Sequence, residues 1–330
     1  MRSIIIIIMI FGLTGCAEDA LSGKAASDEK NEPAFTLSSV NMEAKQVSEH
    51  VYYVQGKAGL PTANEGFISN AGFVITGDGV VVFDSLGTPS LAQKMYSLIR
   101  QKTDEPVKRV YVSHYHADHI YGLPFYKALG AEIIAPAGAD KYIDSESAVT
   151  RLQERRKSLS PWVDERTYVV NPDRYITTQE RFKMGKVDFV VSYLGEAHSD
   201  GDLTLYVETD RVLLSGDIIF EGRIAFLGDS DTKRWLETLQ KIETDNLVAL
   251  IPGHGPVASK PNEAISRMRG YLAYLREKMG NAVEELVDFD TAYSETDWTK
   301  FENLPTFKEA NRRNAYQVFL SIEQEALQSE

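Results

Sequence analysis

Cysteine is nearly absent from this chain, and basic residues are outnumbered by acidic ones. Cys16 is the single cysteine among 330 residues, so disulfides cannot stabilise the mature fold. The formal net charge of −13 at pH 7 argues against nucleic acid and anionic lipid as partners. The basic run at residues 151–157 has helical spacing and is interrupted by Glu154. It therefore predicts a solvated helix face rather than a binding patch.

The N-terminus has an apolar run that is too short to span a membrane as a helix. Residues 4–13 are apolar and follow a positively charged start, which predicts a signal peptide over residues 1–15. The letters LTGC at residues 13–16 resemble the lipobox of bacterial lipoproteins. That resemblance implies cleavage before Cys16 and lipid on its sulfur and its new amino group. An ordinary secretory signal with an incidental cysteine is the alternative.

The same end of the chain predicts a cellular place and a domain plan. Ala17, rather than Asp, favours the outer membrane by the usual sorting rule. We therefore expect a protein of the cell envelope that faces the periplasm and meets the membrane only through its lipid. Residues 16–35 are polar, which predicts a flexible tether. Residues 36–280 are predicted to form one domain, with residues 281–330 as a helical extension packed on it.

Apolar periodicity predicts alternating strands and helices. The predicted strands are residues 51–54, 66–75, 80–83, 107–112, 132–135, 182–194, 203–208, 211–214 and 248–251. The predicted helices are residues 90–102, 123–129, 137–158, a helix opening at 230–235, 262–280 and 307–327. Strands mixed with helices in two similar halves favour an α/β fold, in which two sheets pack face to face with helices outside.

Four potential metal ligands lie within six residues directly after a predicted strand. They are His114, His116, Asp118 and His119. On near-extended backbone, His114 and His116 can turn two ring nitrogens toward one ion, and the next pair follows where the chain turns. Imidazole with carboxylate suits zinc, and iron or manganese less exclusively. The alternative is a polar loop whose histidines only form hydrogen bonds.

Three further candidates also follow predicted strands. His198, Asp217 and His254 each lie in a glycine-bearing loop. A single His or Asp at a strand end is usually only a turn residue or a hydrogen-bonding residue. Together with the cluster at residues 114–119, however, the three predict a larger metal centre.

The ordered motifs HxHxDH, GxxH, GD after a strand and PGHG resemble those of the metallo-β-lactamase fold superfamily. The resemblance runs from about residue 51 to residue 266 and implies an αββα sandwich. It implies two zinc ions, and a hydroxide between them that attacks a carbonyl which one metal polarises. Asp118 would orient the proton or shuttle it, and Asp84 would hold ligand histidines in orientation. The implied ligands are His114, His116 and His198 for one metal, Asp118, His119 and His254 for the other, and Asp217 for both.

The position of Asp217 separates branches of this superfamily. The commonest β-lactamases have a cysteine at the position of Asp217. They have a lysine three residues later, where this chain has Phe220. Arg223 is the nearest basic residue that could replace that lysine. The Asp217 arrangement looks like glyoxalase II and lactonases. The motifs at residues 113–119, 214–220 and 312–316 look closest to periplasmic zinc metallohydrolases of sulfur-oxidation and quinoprotein-relay systems.

We therefore expect a dinuclear zinc hydrolase of a small molecule that carries an ester, thioester, lactone or amide. A β-lactamase is the first alternative, and an iron-dependent sulfur or oxygen redox enzyme on the same fold is the second. The substrate pocket is expected to form from residues 59–65, with Tyr115, Tyr121 and residues 220–227 contributing walls. Tyr115 and Arg223 are the candidate substrate contacts. The oligomeric state stays open.

Overall fold

The computed structural model describes residues 34–228, 230–242 and 246–328. The predicted signal peptide and Cys16 lie outside the described residues, as does the tether up to residue 33. The last tether residue, Phe35, is ordered. Its backbone N–H donates to Gln93 Oε1 (2.9 Å), and its ring meets Phe125 edge-on at 6.3 Å between centroids.

Twelve strands within the described residues form two mixed sheets of seven and five strands. The larger sheet follows chain order, with antiparallel pairs up to β4 and parallel pairs from β4 to β7. Its strands are β1 Lys45–Gln46, β2 Val51–Val54, β3 Ala71–Ile75, β4 Val80–Phe83, β5 Val107–Tyr111, β6 Glu132–Pro136 and β7 Arg174–Ile176. The smaller sheet has the order β12-β11-β10-β9-β8, with only β11 and β12 parallel. Its strands are β8 Glu180–Met184, β9 Val187–Gly195, β10 Asp202–Val207, β11 Val212–Leu214 and β12 Ala249–Ile251.

Helices cover the outer faces of both sheets. They are α1 Pro89–Arg100, α2 Ala117–Ile120, α3 Leu123–Ala128, α4 Ala139–Ile143, α5 Glu146–Ser158, α6 Thr232–Lys241, α7 Pro261–Glu284, α8 Phe289–Glu295 and α9 Phe307–Gln328. Two short 3-10 helices, Pro61–Ala63 and Gly216–Ile218, lie in loops. No helix among the described residues is long and apolar enough to cross a membrane.

Three apolar clusters define four layers. One cluster joins side chains of both sheets, such as Val81 and Leu205, so the sheets pack face to face. A second lies between the larger sheet and helices α1 and α3, and a third between the smaller sheet and helices α6, α7 and α9. Trp235 of α6 is fully buried in the third cluster. The chain therefore has the αββα sandwich that the sequence predicted, because each sheet buries one face on its partner and the other under helices.

The differences from the predicted elements are local. The predicted strand at residues 66–75 begins only at Ala71, and the predicted strand at 182–194 is a hairpin that turns at Gly185 (φ +53°). The predicted helix at 137–158 is broken into α4 and α5, with Ser145 capping α5 by accepting from Ala148 N. Strands β1 and β7 and helices α2 and α8 were not predicted.

Candidate metal centre

Four strands deliver the predicted ligands to one place. Strand β5 leads to Ser113 and to the turn that carries the cluster at residues 114–119. His198 follows β9, Asp217 lies in the 3-10 helix after β11, and His254 follows β12. All seven predicted ligands fall into three overlapping groups whose ligand atoms lie within 4.8 Å of one another. The alternation of apolar and polar residues within the strands does not predict that these ligands meet. The packing of the two sheets brings them together.

The first group consists of three imidazoles. His114, His116 and His198 form it, and His198 Nε2 lies 3.0 Å from His116 Nδ1. The ring centroid of His114 lies 4.4 Å from that of His116 and 4.8 Å from that of His198. Three nitrogens that face one point match the protein ligands of a zinc ion that keeps a fourth position open.

The second group contains a carboxylate. Asp118 Oδ2 lies 3.3 Å from His254 Nε2 and 3.6 Å from His119 Nε2. Ligands about 2.0–2.1 Å from a tetrahedral zinc ion lie about 3.3 Å from each other. The spacing of this group therefore fits a single ion.

Asp217 lies between the two groups. Its Oδ2 is 3.4 Å from His198 Nε2 and 3.3 Å from His254 Nε2, and its Oδ1 is 3.2 Å from His119 Nε2. The same Oδ2 is 3.9 Å from His114 Nε2. One carboxylate thus reaches members of both groups, which is the geometry of a bridging ligand.

Hydrogen bonds on the far side of three rings fix which nitrogen faces the centre. His119 Nδ1 lies 2.9 Å from Asp84 Oδ2, His114 Nδ1 lies 2.9 Å from Ser113 Oγ, and His254 Nδ1 lies 2.7 Å from Ile68 O. Ser113 Oγ already donates to Asp84, and the other two partners only accept, so each Nδ1 carries the proton. Each Nε2 is then the ring atom that faces the centre, and it can bind a metal ion in place of a proton. Nε2 of His114 and of His119 is buried without a hydrogen-bond partner, which fits a metal site.

Burial and mutual charge favour the deprotonated form of several ligands. Burial and the neighbouring imidazoles hold the pKa of His114 well below its ordinary value, and burial lowers the pKa of His198 to about 3. Burial opposes ionisation of Asp217, but His254 and His119 outweigh it and hold the pKa of Asp217 well below its usual range. Neutral imidazole and ionised carboxylate are the forms that bind metal.

The negative charge of the centre attracts a positive charge. Burial lowers the pKa of His119, but the carboxylates of Asp217, Asp84 and Asp118 outweigh burial and raise it well above its ordinary value. Burial likewise lowers the pKa of His254, and the carboxylates of Asp217 and Asp118 raise it overall. A metal cation bound among these side chains would offset the negative charge of the carboxylates, as a proton on the imidazole rings does.

Asp84 is placed where the sequence predicted it, behind a ligand histidine. It follows β4 with a left-handed backbone (φ +65°) and is buried. Its Oδ1 accepts from Ser113 N (2.7 Å), and its Oδ2 accepts from Ser113 Oγ (2.8 Å) and faces His119 Nδ1. It orients His119 directly and His114 through Ser113.

Asp84→Asn is expected to weaken metal binding by about 10- to 100-fold, because the loss of an outer partner frees the ring of a ligand. The amide keeps the volume of the carboxylate but loses its charge and one acceptor. Competition with a chromogenic zinc chelator measures the affinity. Glu180→Gln is the matched control, since Glu180 is partly exposed on β8 and pairs with Arg174. Equal affinities in the two variants would contradict the orienting role of Asp84.

A cavity of about 770 Å³ opens over the metal ligands. His116, Asp118, His198, Asp217 and His254 form its floor. The predicted wall at residues 59–65 contributes Gly59, Leu60 and Pro61, and the predicted wall at residues 220–227 contributes Phe220 and Phe226.

The predicted substrate contacts are placed differently from one another. Tyr115 lines the cavity, but its hydroxyl donates to Val170 O (2.7 Å), so only its ring is available there. Arg223 is buried, with Nη1 3.4 Å from His254 Nδ1 and its guanidinium 5.5 Å from the Phe226 centroid. Neither Arg223 nor Tyr121 is among the described residues that line the cavity. Arg223 therefore lies behind a ligand histidine instead of facing a substrate.

Several supporting residues carried no sequence signal. Asn70 accepts from Gly56 N, and its Nδ2 donates to Pro252 O and Gly255 O (both 2.8 Å), which ties the loop of His254 to the larger sheet. Ser69 Oγ donates to the backbone oxygen of Asp118 (2.5 Å). Both fall in the stretch that was predicted as strand. Only the packing of the two sheets brings them to the site.

Comparison with known proteins agrees with this geometry. A family profile described as the metallo-beta-lactamase superfamily matches residues 64–254, the stretch that ends on His254. The chain is 22% identical over 210 residues to metallo-beta-lactamase IND-1 of Chryseobacterium indologenes, covering 62% of this chain and 77% of that protein. It is 25% identical over 195 residues to metallo-beta-lactamase type 2 of Elizabethkingia meningoseptica, covering 57% and 69%.

Solved structures share the fold at low sequence identity. A metallo-beta-lactamase from Pontibacter korlensis superposes with a TM-score of 0.56 at 18% identity, covering 71% of this chain and 99% of that one. The sec-alkylsulfatase Pisa1 from Pseudomonas sp. superposes with a TM-score of 0.62 at 19% identity, covering 83% of this chain and 49% of that one.

Proposed function

This chain belongs to the metallo-β-lactamase superfamily, whose members are generally metal-dependent hydrolases, and we propose that it is a dinuclear zinc hydrolase of small carbonyl compounds. The substrates would be esters, thioesters, lactones or amides. The observation that carries the proposal is the position of Asp217, whose carboxylate reaches rings of both ligand groups. A site for one ion would have no use for a carboxylate between two complete sets of ligands.

The chain's own residues divide the work. His114, His116 and His198 would hold one zinc ion, Asp118, His119 and His254 the other, and Asp217 both. When bound, the zinc ions supply a water ionised near neutral pH and an electrophile that polarises a carbonyl oxygen. The substrate would lie in the cavity above these ligands, where Leu60 and Phe220 offer apolar lining.

Asp118 would orient the attacking water instead of storing its proton. Burial opposes ionisation of Asp118, but His119 and His254 outweigh it and lower its pKa below the ordinary value. A carboxylate that stays ionised accepts a hydrogen bond well and retains a proton poorly. Asp118 lines the cavity and is partly exposed, so its carboxylate reaches the space that a substrate enters.

Two features favour general hydrolysis over β-lactam hydrolysis. Asp217 and Phe220 occupy the positions at which the commonest β-lactamases have cysteine and lysine. Arg223, the nearest substitute cation, is buried behind His254. The second candidate function is nevertheless β-lactam hydrolysis, because relatives from Chryseobacterium indologenes and Elizabethkingia meningoseptica carry the name metallo-beta-lactamase.

We further propose that the reaction takes place at the cell envelope, with the chain anchored through lipid on Cys16 and facing the periplasm. The support is the signal-like N-terminus, the LTGC motif and the polar stretch that follows. The motifs shared with periplasmic metallohydrolases of sulfur-oxidation and quinoprotein-relay systems support the same place. Labelling with radioactive palmitate, compared between the natural chain and Cys16→Ala, tests the anchor. Equal labelling of the two would contradict it.

A substrate panel tests the proposed reaction. The full chain, purified in mild detergent and loaded with zinc, is assayed with thioesters, lactones, 4-nitrophenyl esters and nitrocefin. We expect turnover of at least one ester-type class, and a decrease in kcat/KM of about 10³-fold or more in His116→Ala, since metal ions supply several kcal/mol of transition-state stabilisation. Turnover of nitrocefin alone would favour the β-lactamase. Activity with iron, but none with zinc, would favour the redox alternative.

A further inference from the structure

One wall of the cavity over the metal centre is basic. Tyr142 of α4, together with Arg151 and Arg155 of α5, lines this wall. Arg151 and Arg155 are four residues apart, so they project from one face of α5. The sequence predicted a solvated face for the run at residues 151–157. Arg151 is exposed and Arg155 is partly exposed, and both also line the cavity. Lys157 is exposed and lies outside the cavity.

The carboxylates of the cavity wall are already paired. Outside the metal ligands, each acidic side chain that lines the cavity has a basic partner. The pairs are Glu154 with Arg151 (2.9 Å), Glu196 with Lys141 (2.7 Å), Asp200 with Lys141 (3.3 Å) and Asp231 with Arg234 (3.4 Å). The wall therefore has no unpaired carboxylate, among the residues described, that would repel an anion.

Two arginines of the cavity wall are left without a partner. Among the described residues, Arg155 and Arg313 form no ion pair and no side-chain hydrogen bond, although both line the cavity. Arg313 comes from α9, so the C-terminal helix contributes to the site. An unpaired guanidinium offers a planar fork of N–H donors that matches a carboxylate.

The basic wall lies in the same cavity as the metal ligands His116, Asp118 and His198. One substrate molecule in this cavity could contact both the metal centre and the basic wall. The apolar side chains Leu60, Ile68 and Phe220 are available for its uncharged part.

We propose that this cavity selects substrates that carry a carboxylate apart from the scissile carbonyl group, and that Arg155, assisted by Arg313, binds that carboxylate. This inference rests on the proposed hydrolase function and names its substrate class. Arg155 acts on substrate affinity and not on the reacting bond. Its loss should therefore raise KM while kcat changes little.

A matched pair of esters tests the selection. The zinc-loaded full chain is assayed with 4-nitrophenyl butyrate, which is neutral, and with mono-4-nitrophenyl glutarate, which carries a carboxylate. In Arg155→Ala, kcat/KM for the glutarate ester should fall roughly 10- to 100-fold through KM, the range for a hydrogen bond to a charged group. The butyrate ester should change by no more than about twofold, because it offers no charge to Arg155.

The matched control is Lys157→Ala, which removes the same charge from the same helix outside the cavity. It should leave kcat/KM for both esters within about twofold of the natural chain, since solvent and salt screen an exposed charge. Arg155→Lys should restore part of the lost affinity for the glutarate ester. A thermal melt of each variant excludes unfolding, because the Arg155 side chain has no partner among the described residues to lose.

An equilibrium measurement separates this inference from the proposed function. Calorimetry measures the Kd of 4-phenylbutyrate for the zinc-loaded chain and the same variants. A Kd that rises about tenfold in Arg155→Ala but not in Lys157→Ala supports the carboxylate site, even if neither ester is turned over and the hydrolase function fails. Equal Kd values in these two variants, or equal losses for both esters, would overturn the inference.

Discussion

Asp217→Asn is expected to lower kcat/KM by about 10³-fold or more and to reduce the bound zinc from two equivalents to one or none. The amide keeps the volume of the side chain but removes the negative charge that faces His119, His198 and His254. Without that charge, both ligand groups lose the carboxylate that lies between them. Elemental analysis of the purified variant and steady-state kinetics on its best substrate measure the two effects.

The control for this variant is Asp188→Asn, which removes an exposed carboxylate of β9 that pairs with Lys183. It should retain full zinc content and activity, because exposed ion pairs contribute at most about 1 kcal/mol to stability. An Asp217→Asn variant that still holds two zinc ions and turns over normally would contradict the bridging position.

Gly253→Ala is expected to disable the centre although Gly253 is not a ligand. A Cβ at this position would overlap Asp217 Oδ1 and lie 2.7 Å from the carbonyl carbon of Gly216 and 2.8 Å from Asp217 N. The obstacle is backbone, which cannot rotate away as a long side chain can. The methyl group must therefore push the 3-10 helix of Asp217 away from the loop of His254, which disturbs two ligands at once.

The expected result is a loss of zinc affinity with a decrease of about 1–3 kcal/mol in the free energy of unfolding, the usual cost of overpacking. Calorimetric zinc titration and urea denaturation measure the two. Gly270→Ala is the matched control, because a Cβ there meets only Lys300 Nζ at 4.0 Å within helix α7. That change should stabilise the fold by up to about 1 kcal/mol. Equal stability and equal zinc affinity in the two variants would contradict the claim that the backbone contact between Gly253 and Asp217 maintains the metal centre.

The candidate ligands could be identified from the sequence because their chemistry is local. His114, His116, Asp118 and His119 occupy one turn, and the remaining ligands each follow a strand whose apolar run is plain in the sequence. The αββα layering followed from the same runs, together with the resemblance of the motifs.

The supporting contacts were not predictable, because they join distant segments. Asn70 reaches the loop of His254 across 182 residues of chain to Pro252, and nothing at residues 66–70 distinguishes an anchor from a strand. Strand β7 is only three residues long, and it forms because it pairs with β6. The position of the basic wall beside the cavity was not predictable for the same reason. Helical spacing places Arg151 and Arg155 on one solvated face, but only the packing of α5 places that face beside the cavity.

Zinc stoichiometry tests the central claim most directly. The metal-free full chain is titrated with zinc and the heat of binding is followed by calorimetry. The geometry of Asp217 between two ligand groups leads us to expect two equivalents of zinc per chain, and at most one in Asp217→Asn. Saturation at a single equivalent, with Asp217→Asn binding as the natural chain does, would contradict a dinuclear centre.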